Sequence, residues 1–207
     1  MTFAEKLTTI AENEQKVYDA GYQKGVSEGG GGGYDAFWDT YQENGNRSNY
    51  AYAFYGKGWT GETYKPKYPI TTSGAFGYMY SNSLITDTVV PLVFNQHNST
   101  QVFSSSKIQN IPSITVTSKQ AFTNWFSGCS DLVEIRFTHE SVIGNNIDLS
   151  PCKSLSHESI MNIINALADK TTDTSGTEWV CTLGTDNLNK LSAAEIAVAT
   201  GKGWVLA

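Results

Sequence analysis

Phe126-Ser127-Gly128-Cys129-Ser130-Asp131-Leu132-Val133-Glu134-Ile135-Arg136-Phe137 is the stretch on which the fold turns. A small apolar Cys is followed, after a short polar turn, by a run of alternating polarity. Leu132 opens a strand in which Val133, Ile135 and Phe137 face inward while Glu134 and Arg136 face water. A single unit of this kind cannot bury its own apolar face, so it needs neighbours stacked against it.

Working outward, the chain from residue 84 onward supplies such neighbours. Short apolar runs divided by polar turns predict strands at Val89–Phe94, Gln101–Phe103, Ser113–Val116, Leu132–Phe137, Asn146–Leu149, Trp179–Leu183 and Gly203–Leu206. Helices are expected between some of them. Ala121–Phe126 is a short one. Leu155–Asp169 is the clearest, with Ser156 as N-cap and Ile160, Ile163, Ile164 and Leu167 on one face. Ser192-Ala193-Ala194-Glu195 has capping-box spacing, and Gly201 closes the helix that follows. Strand, helix and strand recurring every ~20–30 residues is the pattern of a repeat solenoid. Cys129, Cys152 and Cys181 then read as inward core rungs, because buried Cys acts as a small apolar residue.

The N-terminal part is of another kind. Residues 1–28 read as an assembly or docking helix, with Phe3, Leu7, Ile10 and Val17 on a short heptad seam interrupted by Glu14. An isolated helix of that length is marginal in water, so the seam requires a partner. Gly29–Gly33 form a flexible linker. Residues 34–83 are crowded with aromatics and read as a cap over the first coil of the solenoid at 84–207, whose far end carries its own cap. Within the aromatic region, Tyr50, Tyr52, Tyr55 and Trp59 are the candidates for an exposed binding surface.

Composition narrows the function. The formal charge is −6 and charged residues make up only 16% of the chain, so a nucleic-acid partner lacks the basic patch it needs. No apolar run approaches the ~20 residues of a membrane span, and membrane insertion is not expected. Met1–Lys6 has neither a basic nor an apolar leader segment, so no secretory signal is expected in the chain as given. Asn46-Arg47-Ser48 and Asn98-Ser99-Thr100 match the glycosylation pattern, which has no meaning without secretion. Three widely spaced cysteines without a CxxC motif argue against a disulfide framework.

Phe126-Ser-Gly-Cys129-Ser-Asp-Leu132-Val-Glu-Ile135, and the looser Ile147-Asp-Leu149-Ser-Pro-Cys152-Lys-Ser-Leu155-Ser156, resemble the repeat of BspA-like leucine-rich-repeat proteins. The C-terminal section from Leu155 to Ala207, and the leader Ala11–Tyr22 with Tyr34–Asp39, are similar to those of members encoded by phages and prophages of gut Firmicutes. The resemblance implies an α/β repeat fold, a short irregular leucine-rich-repeat-like solenoid. It also implies a non-enzymatic structural or receptor-binding component of a virion. Partners implied are further copies of the chain or other virion proteins through the helix, and a glycan or protein of the host cell surface. The alternative is a bacterial cell-surface adhesion module.

Chemistry-bearing motifs are sparse. His157-Glu158 begins like a zinc-protease helix, but Met161 stands where the second His belongs. His97 and His139 have no accompanying nucleophile, and Gly29–Gly33 lacks the Lys-Ser/Thr of a phosphate loop. No cofactor and no metal site are expected. A tail-borne glycan hydrolase remains as a third reading, for which stacked coils would bring Glu134 and Asp148 within ~5–10 Å.

Overall fold

The computed structural model describes residues 77–88, 92–94 and 99–207. The N-terminal helix, the glycine linker and the aromatic region up to residue 76 lie outside the described residues.

Three strands, β1 (Leu92–Phe94), β2 (Asn110–Val116) and β3 (Glu134–Phe137), form a parallel sheet in chain order. Leu92 pairs with Ile114, and Ile114 with Phe137. Opposite the sheet run three turn segments, 77–82, 99–105 and 122–128, that bond directly to one another. Tyr80 N–H donates to Val102 O at 2.8 Å, and Phe103 N–H donates to Trp125 O at 3.1 Å. Parallel strands need a crossover between them, and these segments provide it without a helix.

The turn segments repeat at a spacing of 23 residues, the separation of the stacked pair Ser106 and Cys129. Tyr80, Phe103 and Phe126 stack ring on ring, with centroids 5.5 and 5.8 Å apart and planes within 2° and 9° of parallel. Left-handed backbone recurs at the same interval. Tyr78, Gln101 and Asn124 have φ of 59°, 53° and 54°, and Asn82, Ser105 and Gly128 have 56°, 56° and 72°. Each such residue reverses the chain within a few residues, which is how so short a segment completes a crossover. Between sheet and turns lies the core. Phe94, Ile111, Ile114, Ile135 and Phe137 from the strands meet Trp125 and the aromatic stack, with Trp125 4.7 Å from Phe94. The Trp125 indole N–H donates to Ser99 O, so its one polar atom is satisfied.

Two expected elements give way to this repeat. Gln101–Phe103 is a bend rather than a strand, and Ala121–Phe126 is a run of turns rather than a helix. Left-handed φ at Gln101 and Asn124 interrupts both. In β3, pairing begins at Glu134 rather than Leu132, and Val133 is exposed instead of buried. The cause is a corner at which Val133 and Glu134 N–H both donate to Gln109 O; Gln109 and Asn110 N–H do the same to Thr86 O. Two successive residues thus share one acceptor, and the alternation slips by one. β2 carries a further irregularity between Ile111 and Ile114, where Pro112 has no N–H for a ladder.

Beyond β3 the repeat changes character. Its next partner is a helix, α1 (His157–Ala166), and not a strand. Ser159 and Asn162 of α1 close the edge of β3. Ile135 N–H donates to Ser159 Oγ at 3.0 Å and Phe137 N–H to Asn162 Oδ1 at 2.6 Å, while Asn162 Nδ2 donates to Phe137 O at 3.0 Å. The expected Ser156 cap is present, its hydroxyl accepting from Ser159 N–H. A second parallel sheet follows, β4 (Ile147–Asp148), β5 (Trp179–Thr182) and β6 (Trp204–Leu206). Between β5 and β6 lie α2 (Thr185–Leu188) and α3 (Ala193–Gly201), the latter opening with the full Ser192–Glu195 capping box. Here the turns of chain are longer: Asn187 reaches back 35 residues, its amide donating to Cys152 O at 2.9 Å.

Small side chains line the inner corner throughout. Ser83, Ser106, Cys129, Cys152 and Asn187 are all buried, and several donate to main-chain carbonyls, Ser83 to Tyr80 O at 2.7 Å and Cys129 to Phe103 O at 2.9 Å. Loss of hydration pushes the Cys129 thiol up to about 11 and that of Cys181 up to about 12, and raises Cys152 as well. These thiols are core groups and not nucleophiles.

Candidate functional site

The two kinds of repeat meet at a seam. Residues 77–82 bond to 100–104 and 101–105 bond to 123–127, but among the described residues no main-chain hydrogen bond continues from 122–128 to 145–150. The sequence explains the break. Twenty-three residues beyond Asn124 and Gly128 stand Ile147 and Pro151, at the interval set by Ser106 and Cys129. A β-branched residue resists left-handed φ, and the proline ring fixes φ near −65°. Neither adopts positive φ; Ile147 extends into β4 and pairs with Cys181 on its other side.

A groove of about 510 Å³ opens where the ladder stops. One wall is the turn Ala121–Asn124, and the other is Asn145–Asp148 with Thr177, Trp179, Val180 and Thr182 of the next turn. The chain segments that lead into the two walls touch at Ser118 and Gly144. Gly144 packs so tightly on Ser118 that a methyl group there would lie 2.2 Å from the Ser118 carbonyl oxygen. Asn145 Nδ2 spans the same joint, donating to Ser118 O at 3.1 Å and Gln120 O at 3.0 Å.

The polar lining is anchored from behind. Asn146 Oδ1 accepts from Val180 N–H at 2.9 Å, and Asp148 Oδ1 accepts from Ser150 N–H and Oγ at 2.9 and 2.7 Å. Among the described residues, Asn145 Oδ1, Asn146 Nδ2 and Asp148 Oδ2 form no hydrogen bond. Trp179 is fixed on several sides. Its Nε1–H donates to Asp173 Oδ2 at 2.6 Å, the Lys170 ammonium lies 3.5 Å from its ring centre, and Trp204 is tilted against it at 6.0 Å. Asp173 is in turn held below the usual carboxylate range by the N–H and hydroxyl of Ser175 and by Trp179.

The residues singled out from sequence fall as follows. Tyr50, Tyr52, Tyr55 and Trp59, and the helix residues Phe3, Leu7, Ile10 and Val17, lie outside the described residues. Asp148 lines the groove; Glu134 does not, being bound on β3 to Arg136 at 3.3 Å and to Ser159 Oγ at 3.0 Å. His157 Nε2 meets Glu195 Oε1 at 2.8 Å across the exposed starts of α1 and α3. His139 lies beside Glu140 at 3.9 Å on the surface. Among the described residues no three His, Cys, Asp or Glu side chains converge as metal ligands, and no helix is long and apolar enough to cross a membrane.

Sequence reading missed Asn124, Asn145, Asn146 and Trp179 as groove residues. The signal that locates them is the position of Ile147 and Pro151 in the 23-residue register, which becomes visible only once the three earlier repeats are aligned. Comparison of the chain with protein-family models, with curated proteins and with solved structures returns no match.

Proposed function

We propose that the chain is a non-enzymatic binding head, a leucine-rich-repeat-like stack displayed on a phage particle and attached through its N-terminal helix. The observation that carries the binding-head part is the stack itself. Parallel strands, a ring-on-ring aromatic column and a corner of small buried side chains recur from one turn of chain to the next. Such quasi-one-dimensional stacks present surface rather than enclosing a reaction chamber. The groove offers one carboxylate, Asp148, and no second acid facing it among the described lining residues, whereas hydrolysis of a glycosidic bond uses a pair. Attachment to a particle rests on the heptad seam and on the resemblance of the repeat and leader residues. Several weak heads on one particle gain avidity without new contacts.

Two measurements on the full chain test the reading. Light scattering of the native chain is expected to show an oligomer that L7D/I10D converts to a monomer. The fluorescently labelled native chain is expected to be retained on intact Firmicutes cells. A monomeric native chain that no cell retains refutes the display reading. Retention together with release of reducing sugar from wall polysaccharide moves the chain to the hydrolase class.

A further inference from the structure

We infer that the groove between Ala121–Asn124 and β4–β5 is the ligand site, and that its ligand is a neutral saccharide. This rests on the reading of the chain as a displayed binding head and adds the site and the ligand chemistry.

The groove has the size of a small-molecule or sugar-chain site, about 510 Å³ against the usual ~300–1,000 Å³. Its lining carries no cation and a single carboxylate, so a phosphorylated or acidic polymer would meet uncompensated repulsion from Asp148. The Lys170 ammonium, which lies against Trp179 of the lining, is committed to Gly144 O at 2.9 Å and to the Trp179 ring. What remains open is mixed donor and acceptor capacity: an acceptor at Asn145, a donor at Asn146 and a charged acceptor at Asp148. Sugar hydroxyls both donate and accept, and they match that mixture where a purely cationic or purely apolar ligand does not. Trp179 adds aromatic surface to the wall, on which the C–H groups of a pyranose can pack beside the Lys170 ammonium.

Preorganisation strengthens the case. Asn145, Asn146 and Asp148 are each tied down by one oxygen or by the nitrogen and left open at the other atom. A ligand therefore meets groups whose rotamers are already fixed. A peptide fits less well. β4 has only two residues, so strand addition gives few main-chain bonds, and the apolar lining residues Phe122 and Ile147 are buried.

The internal bonds permit a clean test. In Asn146→Asp the oxygen that accepts from Val180 is kept, and only the open nitrogen becomes an oxygen. In Asp148→Asn the oxygen that accepts from Ser150 is kept, and only the open oxygen becomes an amide. Neither change removes a bond that holds the fold. The full chain is titrated with neutral tetrasaccharides of glucose, galactose, mannose and N-acetylglucosamine, and with polyphosphate as an anionic control. At least one tetrasaccharide is expected to bind, and each variant is expected to weaken it by about tenfold at unchanged melting temperature, since a lost hydrogen bond of ~1.4 kcal/mol is a factor of ten. Equal binding by both variants overturns the site. Retention of the native chain on cells without binding of any tetrasaccharide overturns the ligand class while leaving the binding-head reading in place. Tetrasaccharide binding lost in the variants, in a native chain that no cell retains, upholds the site and refutes the display reading alone.

Discussion

Replacing Gly144 by Ala probes the joint that sets the groove. The added methyl would sit 2.2 Å from Ser118 O and 2.9 Å from both its carbonyl and α carbons, all main-chain atoms that no rotamer change can move. Overpacking of this kind costs about 1–3 kcal/mol. Separating the walls also stretches the two Asn145 bonds to Ser118 and Gln120, worth about 0.5–1.5 kcal/mol each. Against this stands a gain of about 0.4–1 kcal/mol from a stiffer unfolded chain. The net expectation is a loss of about 2–4 kcal/mol, which at a urea slope of about 2 kcal/mol/M moves the midpoint down by about 1–2 M. Gly201→Ala is the matched control. Nothing lies within 4 Å of its added methyl, it is exposed at the end of α3, and the same exchange there is expected to be neutral or to stabilise by up to about 1 kcal/mol. Urea unfolding followed by far-ultraviolet circular dichroism measures both. Equal midpoints for the two variants would refute the claim that the segments leading into the walls meet at Gly144.

Other parts of the fold give equally direct tests. Native Cys129, Cys152 and Cys181 are expected to be unreactive toward a thiol reagent at pH 8 and to react together in urea, because burial raises all three thiols; rapid labelling of any one in the native chain would count against the corner column. Asn162→Leu is expected to cost about 2–3 kcal/mol, since it strips partners from both the N–H and the C=O of Phe137 at the edge of β3, and an unchanged melting curve would mean that α1 does not cap that edge. Glu195 is held below its ordinary value by the N–H and hydroxyl of Ser192 and by His157. Its contribution to α3 is therefore complete above the ordinary Glu range near ~4.3 and lost as the pH falls through the lower folded value. Hydrogen-exchange protection of the Ser192 amide should drop in that acid window, and Glu195→Gln should remove the pH dependence.

How far sequence reading reaches can be judged from particular residues. Ser156 and the Ser192–Glu195 box are local signals; each hydroxyl needs only an N–H three residues on, and the structure places both as caps. Strand positions with alternating burial, such as Ile135 and Phe137, are local in the same sense. Val133 was not legible. Its exposure follows from sharing Gln109 O with Glu134, a bond to another turn of chain that no local alternation encodes. The turn segments at Gln101–Phe103 and Ala121–Phe126 failed for a related reason: non-Gly residues hold left-handed backbone there because ring stacking and inter-turn bonds compensate the strain.

The groove shows the same limit from the other side. Its amides and its tryptophan are unremarkable as sequence, since Asn and Thr abound in this chain and an isolated Trp reads as core. What makes them a site is the failure of a repeat. Three successive turns place left-handed residues at matching positions, and the fourth offers Ile147 and Pro151, which cannot comply. The main chain then extends into β4, the ladder opens, and side chains that a regular stack would press together are left with unspent hydrogen-bonding atoms. In a stack whose turns differ little, the departure from register is where specificity has room to reside. The departing positions therefore deserve the first substitutions, ahead of the exposed charges of the strands.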